Sequence, residues 1–152
     1  MINEIKVFLK EYGMFIYNTA TIIVSVYGLY QLYKVQPLKN KFNALITEIL
    51  NMLDILESEC TEYWCNPNIL NRKSCCCRIK AKFKNISTNL SIINEQHPKK
   101  VKNIMTYVTS FNDLKDKAMG GNFESSDFRV DSARAEEITS LIDKFKKEIK
   151  SI

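Results

Sequence analysis

The residues of this chain that could do chemistry are its clustered bases. Between Arg72 and Lys102 the sequence holds nine bases and one acid, Glu95, in a chain of net charge +5. Clustered Lys and Arg displace counterions from phosphates and can also hold anionic lipid heads. We therefore expect this stretch to bind an oligonucleotide or a nucleotide. An anionic lipid surface and a merely solvated face are the alternatives. The nine bases are Arg72, Lys73, Arg78, Lys80, Lys82, Lys84, Lys99, Lys100 and Lys102.

Residues with the spacing of a catalytic site are missing from the sequence. The single histidine, His97, precedes Pro98 in a predicted turn, and Ile92 occupies the position that an Arg-x4-His pair would need. The sequence has no HExxH or GxSxG pattern, and its four glycines form no phosphate-binding loop. We predict that the protein is not an enzyme and needs no cofactor. A small helical nuclease built on Arg and His is the enzymatic alternative.

Five cysteines surround one predicted loop of the chain. A structural zinc site needs four ligands in tetrahedral geometry, usually supplied by closely spaced pairs. Here the first pair has the spacing C-x4-C and the other three cysteines are adjacent, so their side chains point in different directions. We predict no metal site and free thiols in a reducing compartment, with disulfides as the alternative if the domain is exported. The five are Cys60, Cys65, Cys75, Cys76 and Cys77.

An uncharged stretch near the N-terminus has the length of a membrane span. No residue from Gly13 to Tyr33 is charged, and Lys34 ends the stretch. As a helix it would measure about 31 Å, close to the roughly 30 Å hydrocarbon core of a bilayer. We predict a short N-terminal segment at residues 1–12 and a transmembrane helix at residues 13–33.

Four polar or small residues share one side of this predicted helix. An amide that faces lipid has no hydrogen-bond partner, so we expect Asn18 to face water or another helix. In a single-pass chain that helix must come from another subunit. The stripe therefore predicts a homo-oligomer, whose helices either pack through this face or line a pore with it. The stripe consists of Asn18, Thr21, Ser25 and Gly28.

The rest of the chain has the pattern of amphipathic helices. Pro37 disfavours helix in the residue before it, so we predict a linker at residues 34–37. Apolar residues then recur every three or four positions in four segments of residues 38–152, separated near Pro67, Pro98 and Gly120. We predict an all-α chain in which one transmembrane helix precedes a domain like a four-helix bundle. Lysines on both sides of the span favour, by a narrow margin, a cytoplasmic location for that domain and an inner-membrane location for the protein.

This plan resembles the small membrane effectors of bacterial anti-phage defence, and among them the channel subunits of Hailong systems. The resemblance rests on the span at residues 13–33, its polar stripe and the basic stretch from Arg72 to Lys102. It implies a DNA or nucleotide ligand that controls a pore, whose ion leakage arrests an infected cell. The hypothesis is thus a homo-oligomeric pore gated by an anionic ligand. The alternative is a membrane-anchored interaction protein, either an immunity protein against a toxin or an adaptor.

Overall fold

The structure, a computed structural model, describes residues 2–67, 72–96, 104–125 and 128–151. Within these residues it is all-helical and contains no strand, which confirms the predicted fold class at the level of a helical bundle. The helices are α1 (Ile2–Tyr30), α2 (Gln36–Cys65), α3 (Arg72–Gln96), α4 (Ile104–Met119) and α5 (Ser132–Lys150), with a π-helical segment at Gln31–Val35. Pro98, near which we predicted a separation between two helical segments, lies outside the described residues.

The chain divides into two compact units, Met1–Lys41 and Phe42–Ile152. In the first unit α1 runs through the predicted N-terminal segment and most of the predicted span. By the criteria of length and apolarity, none of the helices among the described residues is suited to crossing a bilayer.

The chain stays helical through residues 34–37, which we predicted as a linker. Its hydrogen-bond pattern changes there instead, and the N–H of Gln36 is donated to the carbonyl of Gln31, five residues earlier. Pro37 has no N–H to offer the carbonyl of Tyr33, four residues before it. A π-type turn is one way to absorb such a gap without ending the helix.

In the second unit, α2 to α5 bury one apolar stripe each in a shared core. The stripes follow the spacing of three and four that the sequence shows, as expected for helices that turn one face to a core. Cys60, Cys75 and Cys76 are buried in the same core. Its largest fully buried aliphatic side chains are Ile49, Leu53, Leu56, Ile79, Ile86, Ile93, Leu114, Ile138 and Ile142.

Aromatic residues close one end of the bundle. Tyr63 and Trp64, at the end of α2, are buried and contact the rings of Phe123 and Phe128 from the α4–α5 connection. The Tyr63 hydroxyl accepts a hydrogen bond of 3.0 Å from the backbone N–H of Glu124. These contacts hold the mostly polar α4–α5 connection against the end of the bundle.

Asp131 caps the start of α5. The Asp131 carboxylate accepts a hydrogen bond of 2.9 Å from the backbone N–H of Arg134, which satisfies one of the free donors of the first turn. The Arg134 guanidinium in turn donates to the carbonyl of Lys117 at 3.0 Å. The end of α4 and the start of α5 are thereby joined, and these two helices are the most closely packed pair in the described part of the bundle.

Candidate anion-binding groove and exposed apolar helix

The segment from Tyr17 to Tyr33 exposes apolar side chains on all of its sides. Tyr17, Val24 and Tyr33 expose 72, 69 and 76 % of their surface. A contiguous apolar surface of this kind marks a site of contact with a membrane or another protein. The other large exposed apolar residues of the segment are Ile22, Ile23, Val26, Tyr27, Leu29, Tyr30 and Leu32.

Two hydroxyl groups of the predicted polar stripe form hydrogen bonds with backbone carbonyls of their own helix. The Thr21 hydroxyl donates to the carbonyl of Tyr17 at 2.9 Å, and the Ser25 hydroxyl donates to the carbonyl of Thr21 at 2.8 Å. A Cβ atom added at Gly28 would meet nothing within 4 Å. The Asn18 side chain is exposed and forms no hydrogen bond with any described residue. Within the stripe, the amide of Asn18 is therefore the group that needs an external partner.

Three of the predicted ligand-binding bases already contact other side chains of the bundle. The Arg72 guanidinium stacks on the Phe128 ring, 3.6 Å from its centroid. Arg78 Nε lies 3.1 Å from Glu59 Oε1 in an ion pair. Lys80 Nζ forms an ion pair and a hydrogen bond with Glu124. Arg72 and Arg78 thus stabilise the bundle, and only Lys80 among the three also reaches the groove described below.

The remaining predicted bases fall into two groups. Lys73, Lys82 and Lys84 form no ion pair with the described residues, and Lys73 and Lys84 are exposed. Lys99, Lys100 and Lys102 lie outside the described residues. Of the nine bases, the structure therefore leaves four without a counter-ion among the residues that it describes, and one of these, Arg72, stacks on a ring instead.

A groove between α3 and α4 gathers lysines from both helices. It has a volume of about 460 Å³, and Lys80 and Lys84 of α3 line it together with Lys115 of α4. Phe83 and Phe111 also line it, in edge-to-face contact with ring centroids 5.8 Å apart. The three lysines, which are all exposed, thus stand beside two aromatic rings.

The same seam continues into a second cavity of about 320 Å³ that shares Ser87, Phe111 and Lys115 with the first. Leu90, Ile93, Tyr107 and Val108 supply most of its apolar lining, and Ser91, Asn94 and Asn112 its polar groups. The seam thus has a cationic end and an apolar end.

The charge of the cationic end is mostly uncompensated. Lys84 and Lys115 form no ion pair with the described residues, whereas the hydrogen bond from Lys80 to Glu124 raises the pKa of Lys80. The described lining contains no carboxylate, imidazole or thiol. The groove therefore offers positive charge to an anion.

Sequence reasoning missed Lys115 because it counted charge along the chain. Lys115 is far from the basic stretch in sequence, and Asp113 and Asp116 on either side of it hide its charge in any local sum. The available signal was its position four residues after Phe111 on a predicted amphipathic helix. A lysine there borders the apolar stripe and can reach a neighbouring helix.

The five cysteines are free thiols that divide by exposure. Cys60, Cys75 and Cys76 are buried, while Cys65 and Cys77 are exposed. Burial raises the pKa of the Cys60 thiol to about 12 and that of Cys75 to about 11. Thiols that stay protonated are poor nucleophiles and poor metal ligands. The described residues also contain no group of His, Cys, Asp or Glu side chains arranged to hold a metal ion.

Comparison with known proteins identifies no relative of the chain. No family model matches it. No curated protein and no solved structure matches it either. The resemblance to defence channels thus stays a prediction from the sequence, and the function is argued from the two surfaces described above.

Proposed function

We propose that this chain is a homo-oligomeric, single-pass membrane protein that forms a pore, gated when its helical domain binds an anionic ligand. The observation that carries the proposal is the uncharged and exposed apolar surface between Tyr17 and Tyr33. Leaving that surface in water is costly, at roughly 25 cal/mol for each Å² of apolar area. Lipid and other copies of the helix are two environments that remove this cost.

Asn18 supports the homo-oligomer. Its amide has no partner among the described residues, and an amide in hydrocarbon costs several kcal/mol unless it is hydrogen-bonded. Copies of the same helix bring their own Asn18 side chains to a shared axis, where the amides bond to one another or to water. A helix in such an assembly needs an apolar surface only on the sides that face lipid.

The groove between α3 and α4 supports the anionic ligand. A ligand gates a pore only if it binds the open and closed states unequally. Each subunit of a symmetric oligomer repeats the groove, so ligand binding is multiplied around the axis. We propose an inner-membrane location with the helical domain in the cytoplasm, and ion leakage that arrests a phage-infected cell.

Ion flux from liposomes tests the pore. We expect the purified full-length chain to remain in the membrane after alkaline carbonate extraction and to release ions from loaded vesicles. Asn18→Leu should abolish release without preventing insertion. Ser25→Ala is the matched control and should conduct normally, because the Ser25 hydroxyl is already bonded to a carbonyl of its own helix.

Two results would remove the proposal. A chain that extracts into the aqueous phase has no membrane span. A chain that inserts but releases no ions, with or without nucleotides or oligonucleotides, is not a pore.

The bitopic interaction protein is the second candidate, and one observation favours it. Thr21 and Ser25 satisfy their hydroxyls within the helix, so most of the stripe needs no water-filled channel. An anchor for a toxin-immunity protein or an adaptor would keep its activity in the Asn18→Leu variant. The same substitution therefore separates the two candidates, since only a pore depends on the amide.

A further inference from the structure

We infer that the seam between α3 and α4 binds one phosphate monoester attached to a planar apolar group, the chemistry of a nucleoside monophosphate. The inference rests on the proposed function, because it states which anionic ligand the helical domain binds and where that ligand lies. It differs from binding of a long polyanion, which would need a track of cations instead of one cluster.

The two helices run antiparallel along the seam. The first cavity pairs the earlier residues of α3, Lys80 to Thr88, with the later residues of α4, Phe111 to Met119. The second cavity pairs Ser87 to Asn94 with Tyr107 to Lys115. The two cavities therefore follow one another along a single groove.

The cationic end matches the charge of one phosphate monoester. Such a group carries about −1.5 to −2 at neutral pH. Lys84 and Lys115 are the two ammonium groups at this end without a described counter-ion, while Lys80 is neutralised by Glu124. The exposed Ser87 hydroxyl, where the cavities meet, makes no hydrogen bond to a described residue and is available to a phosphate oxygen.

The apolar end matches a flat ring with polar edges. Leu90, Tyr107 and Val108 provide apolar surface, and the exposed amides of Asn94 and Asn112 stand beside it as donors and acceptors. Each cavity has a volume in the range of small-molecule sites, roughly 300–1,000 Å³. Lys73 and Lys82 do not line either cavity, so among the described residues the unpaired cations do not continue along the seam.

Calorimetric titration of the purified full-length chain tests the site. The probes are adenosine 5′-monophosphate, adenosine, inorganic phosphate and lysophosphatidate. We expect the nucleotide to bind at least about tenfold more tightly than adenosine, because a hydrogen bond to a charged group contributes about 1.5–3 kcal/mol. Inorganic phosphate should also bind more weakly, since it leaves the apolar end empty.

Variants locate the binding. Lys84→Ala and Lys115→Ala should each weaken nucleotide binding about tenfold or more. Lys73→Ala and Lys144→Ala remove exposed lysines outside the groove and should leave binding unchanged. Ser87→Trp places an indole where the cavities meet and should abolish binding, with far-UV circular dichroism to verify the helical fold.

Each other outcome overturns the inference. Binding unchanged by the double substitution of Lys84 and Lys115 places the site elsewhere. If lysophosphatidate binds more tightly than the nucleotide, the apolar end holds an acyl chain. If inorganic phosphate binds as tightly as the nucleotide, the apolar end contributes nothing to the affinity. The flux assay tests the pore separately from the nucleotide site. If the chain conducts ions but binds no nucleotide, only this inference is wrong. If the chain binds the nucleotide but never conducts ions, only the pore is excluded.

Discussion

Replacing Trp64 by Phe tests how the closed end of the bundle is held together. Trp64 exposes 1 % of its surface, and its indole N–H donates a hydrogen bond of 3.2 Å to the carbonyl of Ala118. That carbonyl belongs to the last turn of α4, where carbonyls lack a donor from their own helix. The Arg134 guanidinium lies over the indole, 4.4 Å from the ring. Trp64 thus joins α2 to the end of α4 and the start of α5.

The loss can be estimated from these contacts. Removing the indole N–H costs about 1–3 kcal/mol, because the Ala118 carbonyl is left buried and unpaired. Shrinking the ring under Arg134 removes about 0.5–1 kcal/mol of cation–π attraction. The cavity left by the smaller ring adds roughly 1 kcal/mol. We expect Trp64→Phe to lower the free energy of unfolding by about 2.5–5 kcal/mol, a large part of the roughly 5–15 kcal/mol typical of a domain.

Urea unfolding followed by far-UV circular dichroism measures this loss, since the substitution removes the only tryptophan of the chain. Tyr107→Phe is the control: Tyr107 is half-buried and its hydroxyl bonds to no described residue, so its loss should stay below about 0.5 kcal/mol. A Trp64→Phe loss below about 1 kcal/mol would refute the reasoning, because neither the hydrogen bond nor the packing would then contribute as the contacts imply.

Further predictions concern the turn after α4 and the thiols. Gly121 has φ +61°, and a Cβ there would lie 2.9 Å from a guanidinium nitrogen, so Gly121→Ala should lower the melting temperature and cost about 1–3 kcal/mol. Gly28→Ala, whose Cβ meets nothing within 4 Å, should leave the melting temperature unchanged or raise it. A colorimetric thiol reagent at pH 8 should modify Cys65 and Cys77 quickly and the other three only after denaturation; fast modification of all five would contradict the burial. Because burial raises the pKa of the Cys60 thiol from 9.0 to about 12, the unfolded chain loses this proton first, and the stability from that thiol should decline from pH 9 towards pH 12 in urea titrations.

The helices could be predicted from the sequence because their causes are local. Ile79, Phe83 and Ile86 follow helical spacing, and the structure buries all three on one face of α3. Asp131 could be predicted as the cap of α5 because the acceptor and its donor lie three residues apart. Spacing and capping depend on residues within one or two turns of each other, which a sequence shows directly.

The binding surface could not be predicted in the same way, since ion pairs join residues distant in sequence. The acids of α2 and the bases of α3 look like two separate charged regions, yet Glu59 neutralises Arg78 across the two helices. Lys146 similarly reaches Asp54 and Glu57 at 2.7 and 2.8 Å. Whether a base is available to a ligand depends on such pairing, which only the packed helices determine.

Internal pairing determines which lysines of the groove between α3 and α4 are available to a ligand. Ion pairs and ring stacking remove Arg72, Arg78 and Lys80 from the basic stretch, while Lys84 and Lys115 keep their charge beside the Phe83 and Phe111 rings. A lysine in open water gains little from meeting an anion, because solvent and salt screen the attraction. Lys84 and Lys115 are themselves exposed, so it is their convergence on one groove from two helices that concentrates positive charge there. The charge that remains after internal pairing, and not the total along the chain, is therefore what an anionic ligand would meet, and in the groove that we propose as its site this charge lies between two helices.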